Sequence, residues 1–299
     1  MIFNYIERKD CSEMKKSFKC LLGLILMLSF IFVGCNVPNL QTSNKETVQD
    51  KLLVHYIDVG QGDSILIQSK NKNLLIDAGP RSSSKDLINY LKKNNIKKLD
   101  YVIATHPHED HIGGMADVIN TFEIGEFYAP KKTHTTKTYE NMVKALQNKK
   151  LKIIATNYET KSLDLGDEII GDFLAPVKSE YDNLNNYSTV LKVTCGDNSF
   201  LFTGDAEKDS EKEILQKNID VKADVIKLGH HGSSTSSSNE FLDKVNPSIA
   251  VASLGKGNDY GHPHKETIDK MKNRKITFYR TDELGTIVLS SDGKTITKK

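Results

Sequence analysis

Thr105-His106-Pro107-His108-Glu109-Asp110-His111 sets three imidazoles and a carboxylate at the spacing H-x-H-x-D-H. Just upstream, Leu99 to Ala104 reads as an apolar strand. Just downstream, Ile112-Gly113-Gly114 opens a helical stretch. The four polar side chains therefore sit on a short strand-to-helix loop, where neighbours can converge on one point as they cannot along a regular strand or helix. Neutral imidazole and carboxylate are the ligands that borderline divalent cations accept. Crowded together without a cation, they would repel one another or stay unpaired. The chain has nine histidines in 299 residues. Three of them within six positions weighs against a merely solvated loop and for a metal site.

Working outward, Leu52 to Asp58 alternates as a strand, Gly60-Gln61-Gly62-Asp63 turns, and Ser64 to Gln68 returns as the second arm of a hairpin. Leu74 to Ile76 is a short strand closed by Asp77-Ala78-Gly79. Ser84 to Asn94 carries Leu87, Ile88 and Leu91 at helical spacing. Gly113 to Asn120 and Lys137 to Gln147 look helical, and several short strands follow between Leu151 and Leu174. The second half repeats the style. Thr189 to Thr194 and Ser199 to Thr203 form a hairpin that runs out at Gly204-Asp205. Helices are expected at Ala206 to Asn218, Asn239 to Val245 and Lys265 to Lys272. Strands are expected at Asp224 to Leu228, Ser248 to Ser253, Ile276 to Tyr279, Thr286 to Leu289 and Thr295 to Thr297. Strands opening each half and helices outside them predict an α/β fold, a four-layer αββα sandwich.

The N-terminal part reads differently. Lys15, Lys16 and Lys19 precede an apolar run from Leu21 to Val33, shorter than the roughly 20 residues of a spanning helix. The run ends at Phe32-Val33-Gly34-Cys35, similar to a bacterial lipobox. Residues 1–35 are therefore expected to be a signal peptide with Cys35 as the lipidated residue, and Met14 also reads as a start. Residues 36–50 are polar and aperiodic, a flexible tether. Residues 51–299 form one large domain. The reading implies an extracytoplasmic lipoprotein on the outer face of the cytoplasmic membrane.

Of 41 Lys/Arg and 39 Asp/Glu, five and three lie within residues 1–34, which leaves 36 of each sign and no net charge. A nucleic-acid binder usually shows a basic excess, so overall charge gives no support to that class. Most lysines read as solvated surface. Only Cys35 and Cys195 follow residue 34. With the first lipidated, Cys195 is a small core residue.

Asp205 ends a strand, where a carboxylate can bridge two cations; the alternative is an N-cap for the helix after it. His230 and His231 also follow a strand. Alternation would point one inward as a ligand and the other outward, without saying which. His262 and His264 lie on a Gly-rich loop; His264 reads as surface, and His55 and His134 as structural or exposed.

Together these segments resemble the metallo-β-lactamase superfamily. Within it they are most similar to the extracellular hydrolase domain of the ComEC-type competence proteins. The resemblance rests on Asp58-Val59-Gly60-Gln61-Gly62-Asp63-Ser64, Leu75-Ile76-Asp77-Ala78-Gly79, Thr203-Gly204-Asp205, His230-His231-Gly232-Ser233, Tyr260-Gly261-His262-Pro263 and Arg280-Thr281-Asp282. It implies a hydrolase with one or two divalent metal ions, zinc first, manganese or iron otherwise. His106 and His108 would hold one position. Asp110, His111 and one of His230 and His231 would hold the other, with Asp205 bridging. Asp110 would also orient the attacking water, and His262 and Ser233 would hold substrate oxygens. Where the superfamily usually has a further histidine, this chain reads Asn185-Asn186-Tyr187-Ser188-Thr189. The implied activity is cleavage of phosphodiester bonds in DNA or in a cell-wall polymer. A β-lactamase and a non-catalytic, metal-stabilised binding protein are the alternatives.

Overall fold

The computed structural model describes residues 50–299. The expected signal peptide, the expected lipidation at Cys35 and the expected tether up to residue 49 lie outside the described residues.

Two mixed sheets stack face to face with helices on both outer sides. The first sheet contains β1 (Leu52–Tyr56), β2 (Ile65–Ser69), β3 (Asn73–Ile76), β4 (Lys98–Ile103), β5 (Glu123–Pro130) and β6 (Ile153–Thr156) in spatial order. Beside β1 lie β14 (Ile287–Ser291) and then β15 (Ile296–Lys298), so the end of the chain closes on its first strand. β1 and β2 pair antiparallel, with Val54 opposite Ile67, whereas β3 to β6 run parallel. The second sheet runs from β7 (Leu163–Asp164) through β8 (Ile170–Ala175), β9 (Val190–Cys195), β10 (Asn198–Phe202), β11 (Val225–Lys227) and β12 (Ile249–Ala252) to β13 (Thr277–Arg280). β10 to β13 are parallel.

Period-2 alternation builds the layers. Val54, Tyr56, Ile65 and Ile67 meet Leu191, Val193, Phe200 and Phe202 between the sheets. The intervening residues point outward. Leu66, Leu75, Val102 and Phe127 pack under Leu87 and Leu91 of α1 (Ser84–Lys93), Val118 of α3 (Met115–Thr121) and Leu146 of α4 (Lys137–Asn148); the short α2 (Glu109–Ile112) lies between α1 and α3. On the other sheet, Leu201, Ile226 and Ala250 pack under Ile214 of α5 (Lys208–Gln216), Phe241 of α6 (Asn239–Val245) and Met271 of α7 (Lys265–Asn273). A final turn, α8 (Thr281–Leu284), leads into β14. Each fully buried Leu, Ile or Phe contributes about 1.5–3 kcal/mol. Cys195 is buried in the central layer, as expected.

The parallel strands place the polar residues. Asp77 follows β3, the histidine loop follows β4, Asp205 follows β10 and His231 follows β11. Asp63 precedes the antiparallel β2 and so reaches the same end. In parallel α/β sheets, that carboxyl end is where ligands bind.

Candidate metal centre

The histidine loop is anchored from beneath. Asp77 is fully buried and has a left-handed backbone (φ 57). Its Oδ1 accepts the Thr105 N–H at 2.8 Å, and its Oδ2 accepts the Thr105 hydroxyl at 2.6 Å. Oδ2 also accepts a hydrogen bond from His111 Nδ1 at 2.7 Å. That bond fixes the His111 ring and turns Nε2 toward the centre, where it is buried with no hydrogen-bond partner.

Four groups converge there. Ligand atoms of Asp110, His111, Asp205 and His231 all lie within 4.8 Å of one another. Asp205 Oδ2 is 3.2 Å from His111 Nε2 and 3.6 Å from His231 Nε2. His231 Nε2 is 3.2 Å from Asp110 Oδ2. Asp205 reaches this point because Gly204 turns with φ +51, and a Cβ there would press on Thr105 and Ser188. Asp205 is no N-cap: α5 begins at Lys208, with Glu207 at the cap position.

The ambiguity between His230 and His231 resolves geometrically. Both lie in a tight turn with left-handed backbones (φ 48 and 54), so strand alternation does not apply to them. His231 is buried, and its Nδ1 meets the Ser253 carbonyl at 2.9 Å and Asp63 Oδ1 at 3.3 Å. Those contacts aim Nε2 at the cluster. His230 is half-exposed; its Nδ1 pairs with Glu207 Oε1 at 3.1 Å, and its Nε2 stands 3.9 Å from Asp205 Oδ2.

Behind His231 lies an ion pair that sequence reasoning missed. Lys227 is fully buried on β11 and places Nζ 2.8 Å from Asp63 Oδ2, while also donating to the Leu228 carbonyl at 2.9 Å. Burial opposes ionisation of Asp63, yet Lys227 and His231 hold its carboxyl below the usual range. The available signal was a lysine inside the apolar run Val225-Ile226-Lys227-Leu228.

The remaining candidates lie around the cluster. His106 Nε2 is 2.9 Å from His108 Nδ1 and 3.8 Å from Asp205 Oδ2. Two imidazole nitrogens at 2.9 Å need a proton or a cation between them. Ser188, in the segment without the further histidine, has its Oγ 3.3 Å from His106 Nδ1 and accepts the Asp205 N–H at 3.1 Å. His262 packs its ring 5.3 Å from that of His230 and 6.2 Å from that of His231, and its Nδ1 is buried without a partner. Ser233 is not brought to the cluster; its hydroxyl lies 3.1 Å from Thr235 Oγ1 and accepts the Thr235 N–H. His264 is half-buried rather than superficial: its Nδ1 accepts the Ser234 N–H. His55 is buried on β1, against Tyr90 of α1, and His134 lies in the loop before α4.

The electrostatics call for a cation. Burial pushes His231 down, but Asp205 and Asp63 overcome it and raise its pKa to about 10. His111 is likewise held well above its usual range by Asp205, Asp110 and Asp77, against the effect of burial. Asp205 stays ionised because His111 and His231 outweigh its burial. Burial keeps His106 neutral, well below the usual range. The orphaned Nε2 of His111 and Oδ1 of Asp205 are both buried. With two imidazoles and two carboxylates at mutual reach, the donor set fits a borderline divalent ion.

Comparison with known sequences agrees with this geometry. Residues 57–256 match the Metallo-beta-lactamase superfamily. The chain belongs to that superfamily. It is similar to ComE operon protein 3 of Bacillus subtilis (strain 168), 32% identical over 257 residues, covering 78% of this chain and 32% of the relative. It is also similar to Competence protein ComA of Neisseria gonorrhoeae, 30% identical over 232 residues, with coverage of 77% and 31%. The chain thus spans about a third of the length of these competence relatives. Among solved structures, the metallo-beta-lactamase fold protein YhfI of Bacillus subtilis aligns at TM-score 0.53 and 17% identity, covering 81% of this chain and all of that one. CmlA, a diiron beta-hydroxylase from Streptomyces venezuelae, aligns at 0.56 and 14%, covering 81% and 55%. These two likenesses show the fold. This chain is accordingly a member of the metallo-beta-lactamase superfamily with competence-protein relatives.

Proposed function

We propose that the chain is a metal-dependent phosphodiesterase acting on DNA or a related phosphodiester polymer. The observation that carries the reading is the convergence of Asp110, His111, Asp205 and His231 on one point at the open end of the sandwich. Competence relatives support a nucleic-acid substrate over a lactam.

Asp110, His111 and His231 would hold one divalent ion, His106 and His108 a second, with Asp205 between them. Such ions would bring bound water toward neutral pKa and draw charge from the oxygens on the phosphorus under attack. Zinc suits the donors best, and manganese or iron are acceptable. Asp110 is the most exposed of the four converging groups, with its side chain 31% exposed. His111 and His231 hold it ionised despite burial, so it can accept a hydrogen bond from an incoming water and orient it. His231 cannot rotate away, because the Ser253 carbonyl and Asp63 engage its Nδ1. Burial lowers the pKa of His262 to about 4, so it meets substrate as a neutral hydrogen-bonding group at the mouth. We also propose export and lipid anchoring at Cys35, on the strength of the basic start, the apolar run and the lipobox-like ending.

The test is metal content measured together with hydrolysis of bis-p-nitrophenyl phosphate and single-stranded DNA, with and without EDTA. Turnover that EDTA abolishes, and that Asp205→Ala lowers by orders of magnitude with the circular dichroism spectrum unchanged, is the expected result. A folded, metal-loaded protein with no turnover on either substrate would move the assignment to a metal-stabilised binding protein. Turnover of a chromogenic cephalosporin alone would move it to a lactamase.

A further inference from the structure

Tyr260 stands at the rim of the centre. Its ring lies parallel to that of His262, with centroids 5.6 Å apart and planes 19° apart. His262 in turn packs against His230 and His231. One face of the tyrosine is thus covered by a histidine, yet the residue is 66% exposed, more than any other exposed large hydrophobic side chain among the described residues. The other face is open.

The loop that carries it is rigidly braced. Asn258 Nδ2 donates to the carbonyls of Gly255 (3.0 Å) and His262 (2.7 Å), and Asn258 Oδ1 accepts the His262 N–H at 3.0 Å. The far side is tied down by His264, whose Nε2 lies 3.3 Å from the Tyr260 carbonyl and whose Nδ1 accepts the Ser234 N–H at 2.9 Å. An aromatic ring carried on a braced backbone and laid against His262 loses little freedom when a second flat group lies on it. Lys256, exposed on the same loop, offers counter-charge to a phosphate.

A single open ring selects among ligands. It provides one wall, not the several that enclose a quaternary ammonium group. A polyol phosphate has no flat group to lay against it. A nucleobase does, and stacking on one aromatic face tolerates any base. In a duplex the base faces are already stacked, so only an unpaired base is free to move onto the ring.

We propose that the open face of Tyr260 stacks on a nucleobase beside the scissile phosphate and makes the enzyme selective for single-stranded nucleic acid. This rests on the phosphodiesterase reading above. The stacked base extends the row of rings that runs from His231 through His262 to Tyr260, so the sugar–phosphate linked to it is carried toward the four converging ligands.

The test compares the metal-loaded full chain with Tyr260→Ala and Tyr260→Phe on two substrates, an oligothymidylate and the same backbone with abasic sites throughout. Wild type and Tyr260→Phe should cleave the thymidylate faster than the abasic chain. Tyr260→Ala should lose about 5- to 150-fold in kcat/KM on the thymidylate, mostly through KM, and nothing on the abasic chain. An unchanged thymidylate rate in Tyr260→Ala overturns the proposal. So does an equal loss on both substrates, which would mean that Tyr260 merely props His262. If wild type hydrolyses bis-p-nitrophenyl phosphate but cleaves neither oligomer, the base-stacking assignment falls while the phosphodiesterase stands. If it hydrolyses none of the three, both fall.

Discussion

Replacing Lys227 with methionine removes one half of a fully buried ion pair. Lys227 and Asp63 are 0% and 1% exposed and lie 2.8 Å apart. Methionine keeps most of the side-chain volume, so no large cavity opens. What remains is a carboxylate out of reach of water, with His231 Nδ1 at 3.3 Å as its only charged neighbour within 4 Å among the described residues. Breaking a buried pair from one side costs about 3–5 kcal/mol, whereas removing both charges is often close to neutral. A domain is stable by only about 5–15 kcal/mol, so the single variant should be near the edge of folding. Lys227→Met combined with Asp63→Asn should regain at least about 2 kcal/mol of that loss, since no unpaired charge is then left buried. Urea unfolding of the EDTA-treated protein, followed by circular dichroism, measures all four corners of the cycle. Single and double variants that are additive to within about 0.5 kcal/mol would refute the pairing. A Lys227→Met protein as stable as wild type would refute the burial cost itself.

Two further outcomes follow from neighbouring geometry. Asp77→Asn should weaken metal affinity about 10–100-fold. Its amide must face either His111 Nδ1 or the Thr105 N–H, both of which donate to Asp77; unchanged affinity in a competition titration with a chromophoric chelator would sink this. His55 is buried at the β1–α1 contact, and burial depresses its pKa from 6.5 to about 4. Between those values the unfolded chain binds a proton that the folded chain refuses, so this contribution is present above pH 6.5 and is lost as pH falls toward 4. It amounts to at most about 3 kcal/mol. His55→Gln should flatten the stability profile over that window, and an unaltered slope in urea melts from pH 6.5 to 4.5 would contradict it.

The layered fold was legible because most strands obey the two-residue period and most helices carry a clear apolar stripe, as at Leu87 and Leu91. The histidine loop was legible because its ligands are close in sequence. What stayed hidden depends on backbone sign and on long-range partners. His230 and His231 could not be told apart, because positive φ at both replaces the alternation of a strand. Asp77 and Asp63 were visible as motif residues, but their work is done on His111 and His231, 34 and 168 positions away in the sequence. Lys227 stands out in the sequence only as a charge inside an apolar strand, because its counter-charge lies far upstream, before β2.

The four converging ligands come in equal parts from the two halves of the molecule: Asp110 and His111 from the first sheet's side, Asp205 and His231 from the second's. An ion held by all four works as a rivet across the seam between the sheets. Without it, two carboxylates and two imidazoles face one another across that seam. Because such an ion would bind only the joined form, the supply of metal adds to the stability of that form by mass action.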